Sequence, residues 1–301
     1  GKPALLHDKD SRGALAYLRV LRAEARLAAR HADSTLSAEL LDIARQQLAA
    51  GTAIVLDVTR AESQLAGNVS DLITARSELA QARLELAHAL ALPVGTGLVL
   101  TDSLRRPDLR DGVAGEADAI QTALTHRGDV LAAASWSEAA RREVGAIRAE
   151  RLPTVSFFST AASNQDGLLD AHSYGISVSL SLFDGFRRES RVAEARARER
   201  ETAAQWQDLR LRVEVDVRSA LLDLAAARER VAASEVQLRL AEQQVAQARE
   251  RFAAGLDDNS DLIAASRTLN GARDLAVDAL ATYHAARVGL ASAQGVTTTL
   301  E

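Results

Sequence analysis

The sequence predicts a mainly α fold of two long antiparallel coiled-coil helical hairpins, related by an internal repeat, with one β-hairpin between them. Apolar residues make up 47% of the 301 residues while only 3% are aromatic, which is typical of closely packed helices. The segment ARQQLAAG at residue 44 returns as ARERFAAG at residue 248, an offset of 204 positions. A short stretch of alternating apolar and small polar residues lies between the two copies. These observations predict two copies of a helical hairpin, with one pair of strands between them in the sequence.

The first helical hairpin is predicted at residues 1–92. Its return arm alternates larger and small side chains at spacings of three and four, at Val58, Ala61, Leu65, Asn68, Leu72, Ala75, Leu79, Ala82, Leu86 and Ala89. A 3.5-residue period favours a left-handed supercoil, and small seam residues let the backbones approach closely. The outgoing arm follows the same phase more weakly and is shorter than its counterpart, so we expect it to be incomplete.

The second helical hairpin is predicted at residues 186–295, followed by a tail at 296–301. Its outgoing arm repeats large residues every seven positions, at Val217, Leu224, Val231, Leu238, Val245 and Phe252. Small residues fall between them, at Ala220, Ala227, Ser234, Ala241 and Ala248. Because residues 186–254 contain neither Pro nor Gly, this arm is expected to run as one helix of about 100 Å at about 1.5 Å per residue.

Each hairpin turns at an Ala-Ala-Gly segment. Gly51 and Gly255 lie where a helix must end and reverse, and Gly adopts the left-handed C-terminal conformation at little cost. Asp57 follows the first turn, and the residues from Asp257 to Asp261 follow the second. These polar residues are candidates for capping the return helices.

Residues 93–150 are predicted to form a connector and intermediate helices, and residues 151–185 a β-hairpin. Residues 93–115 are punctuated by Pro and Gly, and the helical period of 116–150 breaks near His126. A strand is predicted at 173–183 and its partner at 153–163, with the turn at 164–172.

The predicted strand 173–183 has one apolar face, formed by Tyr174, Ile176, Val178, Leu180 and Leu182, and one face of Ser and Gly. In a soluble sandwich the apolar face would be core. In a β-hairpin of outer-membrane-barrel type it would face lipid, and the small polar face would line the lumen. The pattern alone leaves both interpretations open, and two strands cannot close a barrel without other chains or segments.

Several segments together resemble the outer membrane efflux protein family, the TolC-like channel-tunnels. The resemblance is carried by LSLFDGFRRESRVAEARARE after the strand, AIRAERLPTVSFF before the strands, AAGT and AAGL at the turns, and HALALPVG and GLASAQGV at the ends of the return helices. It implies a homotrimer whose strands form an outer-membrane barrel and whose helices form a periplasmic tunnel. Such a tunnel is an exit duct of a tripartite efflux pump or type I secretion system in a Gram-negative bacterium.

The resemblance also implies specific sites. The hairpin tips Ala50, Gly51 and Thr52, and Ala254, Gly255 and Leu256, match segments that dock on a periplasmic adaptor, which links the tunnel to an inner-membrane transporter. Asp261 matches an aspartate of the tunnel aperture, and Asp57 is its counterpart in the first repeat. A second aperture aspartate of the family is replaced here by Ala264. Helix capping remains the alternative role for both aspartates.

Composition and motifs favour a protein that is not an enzyme and needs no cofactor or metal. A net charge of −5 gives no basic surface for nucleic acid. Cysteine is absent, which excludes disulfides and thiol chemistry. The six histidines have no ligand-like spacing, and neither a phosphate-binding Gly-rich loop nor a Gly-x-Ser-x-Gly motif is present.

Two other functions remain compatible with the pattern. A periplasmic adaptor or scaffold also combines a coiled-coil hairpin with β-structure, although it normally carries one hairpin rather than two in register. A soluble helical bundle with an internal strand pair is the third possibility. The chain begins with Gly and contains no Met, so we expect a processed or truncated product whose upstream helices and first β-hairpin lie outside it.

Overall fold

The computed structural model of the chain describes residues 2–93, 97, 100–104, 115–163, 169–180, 183–254 and 259–296. Its helices and strands follow in the order α1 (Lys2–Ala49), α2 (Val55–Ala89), α3 (Glu116–His126), α4 (Gly128–Ala149), β1 (Thr154–Ser163), β2 (Leu169–Ser179), α5 (Arg187–Ala253) and α6 (Asn259–Gln294). Contacts divide the chain into a first unit, residues 1–123 with 215–301, and a second unit, residues 124–214. The mainly helical fold predicted from the sequence is confirmed.

The first unit is a set of helices in which α1 packs on α2 and α6, and α6 packs on α5. Leu40 of α1 also packs against Phe252 of α5, so α1 contacts all three of the other long helices. Helix α2 also reaches α6, as shown by Arg267, whose Nε donates to Gln64 Oε1 at 2.8 Å.

The heptad seam of α5 is buried as the sequence predicts. Its large residues Val217, Val231 and Phe252 are buried, and Ala227 and Ala241 lie between them. In one cluster Ala241 and Val245 of α5 meet Ala265, Leu269 and Ala272 of α6. Small side chains opposite each other allow the two helix backbones to come close, so packing depends on shape as well as on apolar area.

Helix α1 buries a second face that the heptad pattern does not predict. Leu40 is buried with Phe252 of α5 and Leu262 of α6, and Leu36 packs beside them. The seam to α2 lies on another side of α1, where Leu41 and Ala44 meet Ala61. Helix α1 is therefore enclosed on two sides, which is why its heptad seam looks weak in the sequence.

The second unit contains the β-hairpin. Strand β1 pairs with β2 in antiparallel register from Thr154 opposite Ser179, with an irregularity at Ala162 and Ser163. The predicted strand boundaries 173–183 are wrong, since β2 begins at Leu169 and ends at Ser179. Pro153, which has no N–H group to donate, precedes β1, so the ladder stops opposite it and Leu180 follows the strand.

An aromatic side chain, Phe158, lies on the polar face of the described strand pair. The Phe158 ring lies over Gly175, directly opposite in register, and a Cβ added at Gly175 would be 2.9 Å from the ring. Gly175 therefore provides the space that the ring occupies. Within the described residues, no helix carries an apolar stretch long enough to cross a bilayer.

Candidate functional site

The tip of the first hairpin is a helix C-terminal turn with all its predicted docking residues exposed. Gly51 has a φ of +75°, and its N–H donates to the Leu48 carbonyl at 3.0 Å. The Thr52 N–H and Oγ1 both donate to the Gln47 carbonyl, at 2.9 and 3.1 Å. Ala50, Gly51 and Thr52 are exposed. The left-handed glycine lets the loop donate hydrogen bonds to the last carbonyl groups of α1 while the loop itself stays exposed.

Apolar side chains follow this tip, a feature that the sequence reasoning missed. Ile54, Val55 and Leu56 are each about half to two-thirds exposed where α2 begins. The signal was present in the sequence as the run AIVL directly after the turn. Adjacent exposed apolar residues form a patch that is suited to contact with another protein.

The second tip is described only in part. Ala254 follows α5, is exposed, and donates its N–H to the Glu250 carbonyl at 3.0 Å. The predicted tip residues Gly255 and Leu256 lie outside the described residues, as do Asp257 and Asp258.

The two candidate aperture residues lie in different environments. Asp57 is buried at the third position of α2, where its Oδ2 accepts the Ile54 N–H at 3.2 Å. Its carbonyl accepts an N–H from the Asn259 amide at 2.8 Å. Asp261 is exposed in the first turn of α6. Neither aspartate is the N-cap residue, because Ile54 precedes α2 and α6 already includes Asn259.

The apolar strand face is open to its surroundings. Tyr174, Ile176 and Val178 are 66–75% exposed, and Val155 and Phe157 of β1 share their face with similar exposure. Leu180 is 49% exposed after the strand, and Leu182 lies outside the described residues. The described part of the second unit therefore does not cover this face, so it is not the core of a sandwich within the unit.

A buried polar cluster connects the two hairpins in the second half of α1, and the sequence reasoning did not find it. Asp33 of α1 is 0% exposed, and its Oδ1 accepts from Arg273 Nη1 of α6 at 2.5 Å. Asn68 of α2 donates to the Asp33 carbonyl at 3.2 Å and to Ser37 Oγ at 2.5 Å. The amide of Asn270 lies 3.2 Å from Asn68 Oδ1. The available signal was Asn68, a polar residue in a return-arm seam whose other positions are Val, Leu and Ala, together with Ser37 in the seam of the outgoing arm.

Ion pairs extend from this cluster along α1. Arg30 pairs with Asp274, and Arg26 contacts Asp278 at 3.0 Å and Glu78 at 3.6 Å. Burial raises the pKa of Asp33 above its usual value, and hydrogen bonding and charge from Arg273 oppose that rise. The arginines of α1 thus hold acidic groups of both neighbouring helices, α2 and α6.

Comparison with known proteins identifies the type of chain to which these features belong. The family model described as "Outer membrane efflux protein" matches residues 119–296. A fusaric acid resistance protein of Burkholderia cepacia, FusA, is 30% identical over 169 residues, which is 52% of this chain and 31% of that protein. The pyoverdine export outer membrane protein OpmQ of Pseudomonas aeruginosa is 24% identical over 93% of this chain and 59% of its own length. The chain thus spans about a third to three-fifths of these curated relatives.

Solved structures have the same fold. The outer-membrane channel OprN superposes with a TM-score of 0.78 at 23% identity, covering 97% of this chain and 67% of that chain. VceC of Vibrio cholerae gives 0.75 at 22% identity, covering 97% and 70%. At this level of identity the likeness concerns the fold.

Proposed function

Because the chain belongs to the outer membrane efflux protein family, we propose that it forms part of a passive export conduit in the outer membrane of a Gram-negative bacterium, extending into the periplasm. The conduit is the outer component of a tripartite efflux pump or a type I secretion system. Cargo passes through it without covalent change, and an inner-membrane transporter supplies the energy.

The exposed apolar face of the β-hairpin is the observation that carries this proposal. Five large apolar side chains on one face of two strands would be costly in water, at roughly 25 cal/mol for each Å² of apolar surface. Lipid is the environment in which an outward apolar face and an inward face of Ser and Gly are both stable. Several chains, as a homotrimer, then contribute strands to one barrel.

The hairpin tips are proposed as the surface that docks on a periplasmic adaptor. Ala50, Gly51, Thr52 and Ala254 are exposed, and the adjacent Ile54, Val55 and Leu56 add apolar contact area. Gly255 and Leu256 are included in the proposed docking surface because of their positions in the sequence of the second tip. The left-handed Gly51 fixes the shape of the loop, so a side chain there would disturb the docking surface without entering a core.

For the aperture, the environments favour Asp261 over Asp57. Asp57 is buried and hydrogen-bonded in the first turn of α2, whereas Asp261 is exposed and can contribute to a ring of carboxylates around a threefold axis.

We expect Asp261→Asn to weaken block of the conduit by polyvalent cations without changing its thermal stability. Asp57→Asn is the matched variant, and it should lower stability by about 1 kcal/mol because a helix-end contact weakens. Unchanged cation block in Asp261→Asn would contradict the aperture role.

The proposed function is tested by reconstituting the whole protein in planar bilayers. A conduit should insert from detergent and conduct ions in discrete steps, and single-channel recording measures this directly. Protein that stays monomeric and soluble without detergent, and that gives no conductance, would contradict the proposal and favour an adaptor or scaffold.

A further inference from the structure

The polar face of the β-hairpin departs from its own pattern at Phe158. Opposed residues of antiparallel strands share a face, and successive residues of a strand alternate between faces. Phe157 therefore lies on the apolar face, and Phe158, next to it in the chain, lies on the polar one. Among residues 154–161 and 172–179, the other residues of the polar face are small: Thr154, Ser156, Thr160, Ser173, Gly175, Ser177 and Ser179.

The Phe158 ring leans across the hairpin toward β2. Its outer atoms are the nearest to Gly175, since a Cβ added there would lie 2.9 Å from Cζ and 3.1 Å from Cε1 of the ring. A side chain at Gly175 would push the ring aside, so the glycine makes the room that the ring uses. The Phe158 side chain nevertheless stays 47% exposed.

The fold alone does not account for this ring. An aromatic ring over a glycine of the opposite strand stabilises a strand pair, but the apolar face already specifies the pairing, because a slip of one residue would turn every side chain to the other face. An exposed aromatic ring among hydroxyl groups leaves apolar surface in contact with water. A residue that breaks the local pattern in this way indicates a role in function.

We propose that Phe158 is a contact for aromatic cargo inside the conduit. This inference rests on the proposed function, because in a barrel the apolar face with Phe157 meets lipid and the polar face with Phe158 lines the lumen. Identical copies related by a symmetry axis carry their Phe158 rings at the same height. One level of the lumen is then lined by several aromatic rings.

The chemistry of this level favours cargo that has aromatic groups of its own. Aromatic rings pack against each other edge to face or offset, and they attract one another beyond the effect of apolar area. The Ser and Thr side chains around Phe158 bind water and offer no such surface. The contact is weak enough for the cargo to leave again, as passage through a conduit requires.

Single-channel recording of the whole protein in planar bilayers tests this inference with two ions as probes. Tetraphenylphosphonium and tetrabutylphosphonium carry the same positive charge on phosphorus, and only the first has aromatic groups. Carboxylates of the conduit attract both ions through that shared charge, so a difference in block reports contact with an aromatic surface. We expect tetraphenylphosphonium to block the current of the natural protein at the lower concentration.

Three variants locate the contact. Phe158→Leu keeps an apolar side chain without the ring, and it should raise the half-blocking concentration of tetraphenylphosphonium roughly three- to tenfold while leaving that of tetrabutylphosphonium unchanged. Phe158→Tyr retains the ring and should keep the natural block. The matched control is Phe157→Leu, the same change at the neighbouring residue on the apolar face, where the side chain is 72% exposed. It should alter the block by neither ion.

Preferential block by tetraphenylphosphonium that weakens in Phe158→Leu and persists in Phe158→Tyr would support the inference. Equal block of the natural protein by the two ions would overturn it, whether or not a variant folds. Equal effects of Phe158→Leu and Phe157→Leu, or an equal loss for both ions in Phe158→Leu, would also overturn it and leave Phe158 a packing role against Gly175. Stepwise conductance in those cases would leave the proposed function standing, whereas a natural protein without conductance would overturn both.

Discussion

Asp33 is a fully buried carboxylate that two arginines contact. A buried carboxylate loses its hydration, and removing its cation leaves that loss uncompensated. Here Arg273 lies 2.5 Å from Asp33 Oδ1, and Arg30 lies 3.4 Å from Oδ2. Another alignment of α1 with α6 would bury Asp33 without these partners, so the contacts favour the observed register.

Replacing Arg273 by Leu should therefore destabilise the protein strongly at neutral pH. We expect a loss of about 3 kcal/mol in the free energy of unfolding, because the buried Asp33 keeps only Arg30 nearby. The matched control is Arg267→Leu, about two turns nearer the tip, where the exposed guanidinium contacts Gln64 and the loss should stay below about 1 kcal/mol. Urea unfolding followed by circular dichroism measures both, and equal losses would contradict the role of Asp33.

The stability of the protein should also depend on pH through Asp33. The folded state raises the pKa of Asp33, so it binds the proton more tightly than the unfolded chain does. This contribution to folding is present in full below the ordinary Asp pKa and is lost as pH rises through the raised folded value. Compared with Asp33→Asn, the natural protein should lose stability across that interval. Parallel pH profiles of the two proteins would exclude this effect.

At the scale of elements, the alternation of large and small residues decides how closely α5 approaches α6. Ala241 is buried against Ala265 and Ala272, with Val245 and Leu269 filling the space on either side. Exposed alanines occur on the same helix, and Ala246 is one of them. Residue type does not distinguish the buried alanines from the exposed ones. Only their positions in the heptad do.

Ala241→Leu should force the two helices apart. We expect it to lower the free energy of unfolding by about 1–3 kcal/mol, since added methylenes in a close-packed seam cause strain. Ala246→Leu, the exposed control on the same helix, should change it by no more than about 0.5 kcal/mol. Thermal unfolding followed by circular dichroism compares the two. Similar values for both variants would show that the seam is not closely packed.

At the scale of the whole molecule, two kinds of contact join the two hairpins of the first unit. Near the tips, the contact between hairpins is apolar and includes Leu40, Phe252 and Leu262. Farther from the tips it consists of half-exposed ion pairs, in which Arg22 and Arg26 meet Asp278. Salt screens exposed charges and leaves apolar packing intact, so the two regions should respond differently to ionic strength.

Molar salt should therefore speed hydrogen exchange selectively. We expect faster exchange for the backbone amides of residues 19–30 of α1, with little change for residues 36–44. Exchange followed by mass spectrometry after proteolysis resolves the two segments. A uniform response of α1 would mean that the ion pairs do not hold the hairpins together.

The sequence by itself determined the repeat, the long helices, the seam residues of α2, α5 and α6 and the family, because periodicity and turn chemistry are local properties. The tertiary structure alone decided which helices become neighbours. It enclosed Asp33 between hairpins and buried Asp57 while leaving its repeat equivalent Asp261 exposed. These outcomes depend on contacts between residues some 200 positions apart, and a heptad pattern specifies a face for packing without naming the helix that covers it.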